Sequence, residues 1–549
     1  MVAPWAEEQK AEAERKERKR HAFRSKSREM YRRSQVPSDD RELGKIAPPA
    51  AEETAEADGE LKQPVGRSHW AMEEMIKADL GDKRLNKRLV GILSNLAERP
   101  TASIPAACGG HAEMTATYHF FDNPKVTWEK VIQPHQAATR QRMAQQPVVL
   151  LVQDTTEIDV TRPQQQVVGA GPLDGPTRRG AFAHVMEGFT PDGTPLGAAW
   201  LEIWTRDEEE QAKTKAEKER ERKALPIEEK ESFRWLQGLR VAREIAQELP
   251  ETKFVCVADS EADIYKIFAE PRGERPVHWL IRACQERAVV PEADAVGRYI
   301  RDRVAASPVL FTQQITIRAR DPKTSCETRN RRVARRSRTA TVEVRAVTMT
   351  LRPPAGPDGP MPQVTLNVIL VSEVDPPDGE PPVEWILLTT LPIATVEEVR
   401  QAIQYYCTRW MIEVLFRTWK SGCRIEERLF ETLDRLLPCL CVYLVVAWRV
   451  LMLCRLGRSC PDMDCEAIFD PSEWQSVWMV IHHKAPPQEP PKLGVMLRMI
   501  AQLGGYVNRP NRTDPPGPQT LWLGIQRMRD LAWGWNTFGP GQKKIQKDV

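Results

Sequence analysis

The sequence lacks features that would assign it to a simple class. It has no excess of charge: 79 Lys plus Arg face 76 Asp plus Glu in 549 residues, so any affinity for nucleic acid must come from local patches. Its eleven cysteines are an odd number and include no C-x-x-C pair, which argues against a zinc ribbon and a disulfide framework. A reducing cytoplasm is therefore the expected compartment.

The sequence also lacks clear export and membrane signals. Its first forty residues are charged where a secretory signal would be apolar. The one long apolar run extends from Leu436 to Leu453, and Pro438 and Arg449 interrupt it. These interruptions favour a buried core helix over a membrane-spanning one.

The length of the chain and the changes in charge and apolar pattern along it predict several structural units, roughly three or four at about 150 residues per domain. Residues 1–66 have a basic half followed by an acidic half, and we predict a disordered charged arm. Residues 67–140 have the apolar spacing of helices. One of these helices carries a cluster of four cations, Lys83, Arg84, Lys87 and Arg88. Such a face is typical either of DNA docking or of an ordinary solvated surface.

An α/β pattern begins at Pro147. The apolar run PVVLLV is typical of a strand buried on both faces, and we expect this strand to end at Asp154. A hairpin, a helix and a second apolar strand follow, and the second strand ends at Asp259. Residues 289–384 are β-rich. Within that region six arginines form a candidate phosphate contact, namely Arg329, Arg331, Arg332, Arg335, Arg336 and Arg338.

A long helix that begins after Thr395 carries a second polar cluster. Five of its residues are spaced by three or four positions and share one face: Tyr406, Arg409, Glu413, Arg417 and Lys420. We expect the opposite side, with Cys407, Trp410, Val414 and Leu415, to pack on a core. The polar face is typical of a functional site or of a salt-bridged surface.

Three carboxylates connect these patterns: Asp154 ends one buried strand, Asp259 ends another, and Glu413 lies on a helix after the β-rich region. Carboxylate oxygens are the ligands that Mg²⁺ prefers, and two metal ions can activate both oxygens of a phosphoryl transfer. Four neighbouring acids make the choice ambiguous from sequence alone. We interpret these four as local caps and solvated charges: Glu157, Asp159, Glu261 and Asp263.

The motifs resemble a known family. The segment DTT at Asp154, the segment ADSEADIY around Asp259 and the spacing Y-x-x-R-x-x-x-E-x-x-x-x-x-x-K from Tyr406 to Lys420 resemble the DDE transposases of bacterial insertion sequences with a YREK signature. This is the family that includes the transposon-five transposase. The resemblance implies an α/β, ribonuclease-H-like catalytic core with a β-rich insertion, flanked by all-helical N-terminal and C-terminal domains.

The resemblance also implies a division of the chain. The helical transposon-end DNA-binding domain would be 67–140 and the first part of the catalytic core 141–288. The β-rich insertion would be 289–384, the second part of the core with the YREK helix 385–435, and the helical C-terminal dimerisation domain 436–549.

The resemblance assigns roles as well. Asp154, Asp259 and Glu413 become the catalytic triad, holding two Mg²⁺ ions for which Mn²⁺ can substitute. The implied DNA contacts are Tyr406, Arg409 and Lys420 on phosphates, Arg417 as a further basic contact, Arg282, and the basic cluster of residues 83–88. Trp385 lies 28 residues before Glu413, where the family holds a flipped base, although its apolar neighbours also fit a core residue.

The implied activity is cut-and-paste DNA transposition: nicking, hairpin formation and resolution at transposon ends, then strand transfer into target DNA. The implied partners are double-stranded DNA and a second copy of the chain, with no membrane, in the bacterial cytoplasm at the nucleoid. The alternative is a catalytically silent DNA-binding regulator derived from a transposase. The intact triad argues against this alternative.

Overall fold

The computed structural model describes residues 69–540, except 163, 176, 209–216, 218–219, 222–223, 293–295, 318–335, 356–358, 381 and 508–514. The charged arm 1–66 and four of the six clustered arginines lie outside the described residues. The described part begins with a group of helices: α1 His69–Glu74, α2 Lys83–Glu98, α3 Ile104–Ala107, α4 His111–Asp122 and α5 Trp128–Met143.

A ten-stranded mixed sheet forms the centre of the described part. The strands are β1 Val148–Asp159, β2 Gly171–Pro172, β3 Arg179–Phe189, β4 Pro195–Trp204, β5 Lys253–Ala258, β6 His278–Arg282, β7 Val309–Ile317, β8 Arg338–Leu351, β9 Val364–Glu373 and β10 Glu384–Thr389. β1 lies between antiparallel β3 and parallel β5, β4 pairs with the far side of β3, and β6 pairs in parallel with β5. β10 pairs antiparallel with β6, and the sheet continues through β9, β8 and β7.

Apolar residues of β1 pack on both faces of the sheet, as the continuous run predicts. Leu150 and Val152 join the larger core with α1–α5 and the helices that follow β10, whereas Val149 and Leu151 join a second core on the other face. The second core includes α6 Phe233–Glu248, α7 Tyr265–Ala269 and α8 Ile300–Ala305. Because side chains alternate along a strand, Asp154 lies on the face of the larger core.

β1 is longer than the sequence indicates. We expected the strand to end at Asp154, but it continues to Asp159 because the antiparallel pairing with β3 extends that far. The parallel pairing with β5 stops at Val152. Asp154 therefore lies just beyond the last parallel pair, where one side of the strand is open.

The helix with the polar face begins as predicted. Thr395 and Glu398 form a capping box at the start of α9 Val396–Thr408. The regular hydrogen bonding of α9 is interrupted at Arg409, and α10 Trp410–Arg417 follows directly. A π-helical turn, Thr418–Gly422, ends α10. π turns inside helices are frequent at functional sites.

The prediction of which side of this helix packs on the core is partly wrong. Cys407 is exposed and Trp410 is 58% exposed, whereas Leu415 is buried as predicted. The helix packs instead through a stripe turned toward β1 and the C-terminal helices. The buried members of this stripe are Ala402, Ile403, Tyr405, Tyr406, Ile412, Leu415, Phe416 and Trp419.

The remaining described helices form the C-terminal part: α11 Leu433–Ser459, α12 Pro471–His482, α13 Leu493–Leu503 and α14 Pro518–Phe538. Among the described residues, α11 is the one helix long and apolar enough to cross a membrane, and 89% of its apolar window is buried inside the protein. It packs against α5, α2 and β4. It is therefore a core helix, as its interruptions predict.

Candidate active site

The two aspartates of the candidate triad lie at equivalent positions of neighbouring strands. The last parallel pair of β1 and β5 joins Val152 to Val257, and Asp154 and Asp259 each follow two residues later. Adjacent strands are about 4.8 Å apart, so this register brings both carboxylates to the same edge. Asp259 also caps the following turn, because its Oδ1 accepts a hydrogen bond from the Glu261 N–H at 2.8 Å.

Asp154 is held in an environment that disfavours its negative charge. Burial and the negative charge of Asp259 raise the pKa of Asp154 from 3.8 to about 7. Two local contacts oppose this rise. The Arg409 guanidinium lies 3.3 Å from Oδ2, and the Thr155 N–H donates to Oδ1 at 2.8 Å.

Arg409 connects the aspartates to the third carboxylate. One terminal nitrogen of its guanidinium, Nη1, faces Asp154, and the other, Nη2, donates to Glu413 Oε1 at 2.8 Å. The break between α9 and α10 occurs at Arg409 itself, while Glu413 lies one turn further along α10. A positive charge thus lies between two carboxylates from different elements, as expected where anionic groups are crowded together.

The triad does not form a ready-made metal cage. Among the described residues, no group of three or more His, Cys, Asp or Glu side chains is arranged to hold a metal ion. The physical reason is Arg409, whose guanidinium occupies the space between Asp154 and Glu413. The donor chemistry nevertheless fits Mg²⁺, because the three groups are carboxylates and one of them has a raised pKa that a nearby cation would lower.

Lys420 has a partner that sequence reasoning missed. Its Nζ donates to the backbone carbonyl of Glu157 at 2.7 Å and lies 3.1 Å from Glu426 Oε1. The same carboxylate oxygen of Glu426 accepts from the Asp159 N–H at 3.0 Å. Glu426 therefore joins Lys420 to the end of β1. No sequence pattern indicates this role, because Lys420 lies in the π turn, whereas Glu426 lies in a separate 3₁₀ turn, Ile425–Glu427, that follows the left-handed Arg424.

Three further predicted residues gather on the other side of the triad. Tyr406 is 7% exposed, and burial raises the pKa of its hydroxyl. The ring of Trp385, on β10, is half-buried, and its centroid lies 6.0 Å from the centroid of the Tyr406 ring. Arg282 is exposed at the end of β6 and donates to the Glu384 carbonyl at 3.3 Å. The structure thus brings these three residues together next to Arg409.

The remaining predicted contacts lie further away or are already paired. Arg417 is exposed one turn beyond Glu413. On α2, Lys83 and Lys87 are exposed, whereas Arg84 pairs with Asp82 at 3.1 Å and Arg88 with Glu113 at 2.6 Å. Arg338, from the arginine cluster, is held by Glu373 and Glu380.

The four neighbouring acids have individual explanations. Glu157 and Asp159 both pair with Arg178, and Asp159 also caps Thr161. Glu261 is exposed. The interpretation of Asp263 as a solvated charge is wrong. Its side chain is fully buried, pairs with Arg287 at 2.5 Å and accepts from the Cys284 N–H at 2.8 Å, which holds the loop after β6.

Family comparisons match the chain in three consecutive regions. The family described as transposase DNA-binding matches residues 67–126, the transposase DDE domain matches 237–437, and the transposase Tn5 dimerisation domain matches 445–535. Together these regions span most of the chain. Asp259 and Glu413 lie within the matched DDE region, whereas Asp154 lies before it.

Among solved structures, the cryo-EM structure of the piggyBac transposase synaptic complex with hairpin DNA superposes with a TM-score of 0.30 and 10% sequence identity, over 70% of this chain and 66% of that chain. This chain therefore spans slightly less than two thirds of the length of that one, and a superposition this loose assigns no residue role. The three family regions carry the assignment. Because they follow one another in this order along most of its length, the chain belongs to the Tn5-like DDE transposases.

Proposed function

We propose that this chain is a cut-and-paste DNA transposase whose active site is formed by Asp154, Asp259 and Glu413. The observation that carries the proposal is the geometry of the site: two carboxylates each lie two residues beyond the last pair of adjacent parallel strands, and Arg409 joins one of them, Asp154, to Glu413. Family membership supports metal-dependent phosphoryl transfer as the reaction class, since DDE transposases generally use divalent metal ions.

The fold proposed for the catalytic part is ribonuclease-H-like. The order β4-β3-β1-β5-β6, with antiparallel β3 and β4 and parallel β5 and β6, supports this assignment. The division of the chain stays as the resemblance implies: end-binding helices at 67–140, the catalytic core at 141–288 and 385–435, a β-rich insertion at 289–384 and a dimerisation domain at 436–549. The insertion extends the same sheet through the pairing of β10 with β9.

The three carboxylates would hold two Mg²⁺ ions, and Mn²⁺ would substitute. When bound, such ions activate the attacking oxygen and stabilise the leaving oxygen of a phosphoryl transfer. For the carboxylates to act as ligands, the Arg409 guanidinium has to leave its position between Asp154 and Glu413. A phosphate of the DNA is the natural new partner, because guanidinium groups bind phosphate oxygens in a bidentate manner.

The side chains around the triad would position the DNA. Lys420, held by Glu426, would contact a phosphate on the β1 side, while Arg409 and the Tyr406 hydroxyl would contact phosphates near the scissile bond. Burial keeps the pKa of Tyr406 above its ordinary value, so its hydroxyl remains a hydrogen-bond donor. Arg282 and Arg417 would extend these contacts along the strand.

Trp385 would hold a base flipped out of the hairpin. A tight hairpin cannot keep its terminal bases stacked, and a protein ring can replace stacking worth about 1–3 kcal/mol per base. The half-buried Trp385 ring next to Tyr406 supports this role. The base would lie close to the phosphates that Arg409 and Tyr406 hold.

Each proposed chemical step exchanges one phosphorus–oxygen bond for another. Water attacks the phosphorus at the transposon end, and the released 3′ oxygen takes up a proton. This 3′ hydroxyl attacks the opposite strand, which forms the hairpin and releases the flanking DNA. A second water reopens the hairpin, and the same hydroxyl then attacks target DNA. No oxidant, reductant or nucleotide cofactor is required.

The proposed partners are transposon ends, target DNA and a second copy of the chain. The matches to DNA-binding and dimerisation families support these partners. The exposed Lys83 and Lys87 on α2 are the proposed backbone contacts of the end-binding helices, together with Arg84 and Arg88 once DNA competes with their acidic partners. The expected location is the bacterial cytoplasm, at the nucleoid.

The test is a reaction of the purified chain with linear DNA that carries the sequences flanking its own gene. In Mg²⁺, wild type should produce nicks, then hairpins, then excised ends on a denaturing gel. Glu413→Gln should bind the same DNA and produce none of these species. Binding without cleavage by both proteins would contradict the proposal and favour the regulatory alternative.

A further inference from the structure

A groove of about 500 Å³ opens where the end of the catalytic helix meets the N-terminal and C-terminal helices. It is called the α10–α14 groove below. Its lining combines polar side chains from all three regions of the chain with the apolar side chains of Trp522 and Leu523. The residues used below are Thr101, Arg417, Ser421, Arg424, Gln519 and Trp522.

The walls of the groove are fixed to one another. Arg428 is 5% exposed and donates to the carbonyls of Pro100 and Ala102. The Thr101 hydroxyl donates to Gln526 Oε1 at 2.7 Å, which ties the same loop to α14. On the floor, the Trp522 ring lies so close to Gly422 that an added Cβ would meet it at 2.8 Å. A groove with fixed walls is preorganised for a ligand.

The donors in the groove suit an anion. Arg417 is exposed and has no ion-pair partner among the residues that the structure describes. The Arg424 side chain is 52% exposed and pairs with Glu427, whose side chain is 59% exposed. Arg424 also has φ +51°, a left-handed conformation that favours glycine, yet a long cationic side chain is present there. Ser421 and Gln519 add neutral donors.

The groove lies near the triad in the chain, because its lining residue Arg417 is one helical turn beyond Glu413. Glu413 and Arg417 lie four residues apart on one face of α10, Ser421 lies in the π turn that follows, and Arg424 comes two residues after that turn. With the α-helical rise of 1.5 Å per residue as an upper bound for this segment and its π turn, Arg424 lies within about 16 Å of Glu413 along the helix axis. One strand of a duplex advances about 3.4 Å per nucleotide, so this distance corresponds to roughly five nucleotides.

We propose that the α10–α14 groove binds the phosphodiester backbone of the DNA in the active site, roughly five nucleotides from the scissile phosphate. Arg424 and Gln519 are the new contacts, and Arg417 links them to the triad. The inference rests on the proposed function, since it places a further part of the same substrate. The bound strand has two possible sources, the transposon side and the flanking side of the cut.

The first measurement is end binding and its salt dependence in a Glu413→Gln background, so that no cleavage is needed. Arg424→Gln should weaken binding roughly three- to tenfold and reduce the slope of log K against log salt by about one. Adding Arg417→Gln should reduce the slope by about one more. Arg240→Gln is the matched control, because Arg240 is 41% exposed and pairs with Glu270 on the other face of the sheet.

Neutral methylphosphonate linkages then identify the phosphate. One linkage at a time is neutralised, from three to seven nucleotides on each side of the cut and in each strand. If Arg424 contacts a phosphate, neutralising it should weaken wild-type binding and have no further effect on Arg424→Gln. The side on which this coupling occurs distinguishes transposon DNA from flanking DNA.

A fold control and two contrary results complete the test. Arg424→Gly keeps the left-handed backbone without strain and removes the guanidinium, so it should lose the same contact without loss of stability. No coupling at any linkage would overturn the proposal. So would an Arg424→Gln protein whose dimer dissociates more readily while its DNA affinity and salt slope stay unchanged, because the groove would then bind the second copy. Neither result depends on whether wild type cleaves DNA, which tests the proposed function separately.

Discussion

Asp154→Asn should stabilise the metal-free protein at alkaline pH while it removes activity. The fold raises the pKa of Asp154 from 3.8 to about 7, a difference of about three units. At 1.36 kcal/mol per unit, the ionised carboxylate costs the folded state roughly 4 kcal/mol. Because the folded pKa is the higher one, this cost is absent below about pH 4, grows between pH 4 and 7 and is complete above pH 7. Asparagine cannot ionise and avoids it.

The assay is urea unfolding in EDTA at pH 5 and pH 8, with wild type and variant compared at each pH. The variant should gain up to about 4 kcal/mol at pH 8 and clearly less at pH 5. Excess Mg²⁺ should then stabilise wild type by mass action and leave the variant nearly unchanged. An equal difference at both pH values would refute the account of Asp154.

Glu74→Gln is a control of opposite sign. Burial alone would raise the pKa of Glu74, but His135 and Arg142 lower it from 4.5 to about 2. The ionised carboxylate therefore stabilises the fold above pH 4.5, and this contribution is lost as the pH falls toward 2. The variant should be less stable than wild type at pH 5 and pH 8 alike, with a difference that shrinks only in acid.

Three further substitutions test separate parts of the account. Glu426→Gln should slow cleavage several-fold in single-turnover assays without loss of end binding, and combining it with Lys420→Ala should add nothing to the effect of Lys420→Ala alone; additive effects would mean that Glu426 acts independently. Trp385→Ala should leave the first nick and stop hairpin formation on a denaturing gel, Trp385→Phe should restore part of it, and equal loss of both steps would indicate a folding defect. Gly422→Ala should destabilise the protein by about 1–3 kcal/mol in urea unfolding, because the new Cβ would meet the Trp522 ring at 2.8 Å; an unchanged midpoint would contradict the close packing on the groove floor.

Much of the architecture could be predicted from local patterns. The capping box at Thr395 has a sequence signature, and so does the apolar run that makes β1 a doubly buried strand. The apolar runs before Asp154 and Asp259 also predict two buried strands that each end at an acid, so both acids are expected at one edge of the sheet. The pairing register of β1 with β5 could not be predicted, because it depends on which residues of the two strands pack side by side in the folded core.

Other features depend on tertiary contacts that leave no pattern in the sequence. Arg409 lies between Asp154 and Glu413 because α10 packs beside β1, which brings residues far apart in the sequence into contact. Glu426 contacts Lys420 because the chain turns at the left-handed Arg424 after the π turn that contains Lys420. Trp410 has the composition of a core residue and is exposed, since the helix packs through a neighbouring stripe. Hydrophobicity alone does not determine which stripe a half-buried helix turns inward.

The most direct test of the central claim compares two neighbouring carboxylates, Asp259 and Glu261, in Mg²⁺-dependent cleavage of the transposon ends. Asp154 and Asp259 each lie two residues beyond the last pair of β1 and β5, whereas Glu261 is exposed two residues after Asp259. Asp259→Asn should bind ends and produce no nick, and Glu261→Gln should nick and form hairpins close to the wild-type rate. Nicking by Asp259→Asn at the wild-type rate, or its complete loss in Glu261→Gln with the fold intact, would contradict the proposed triad.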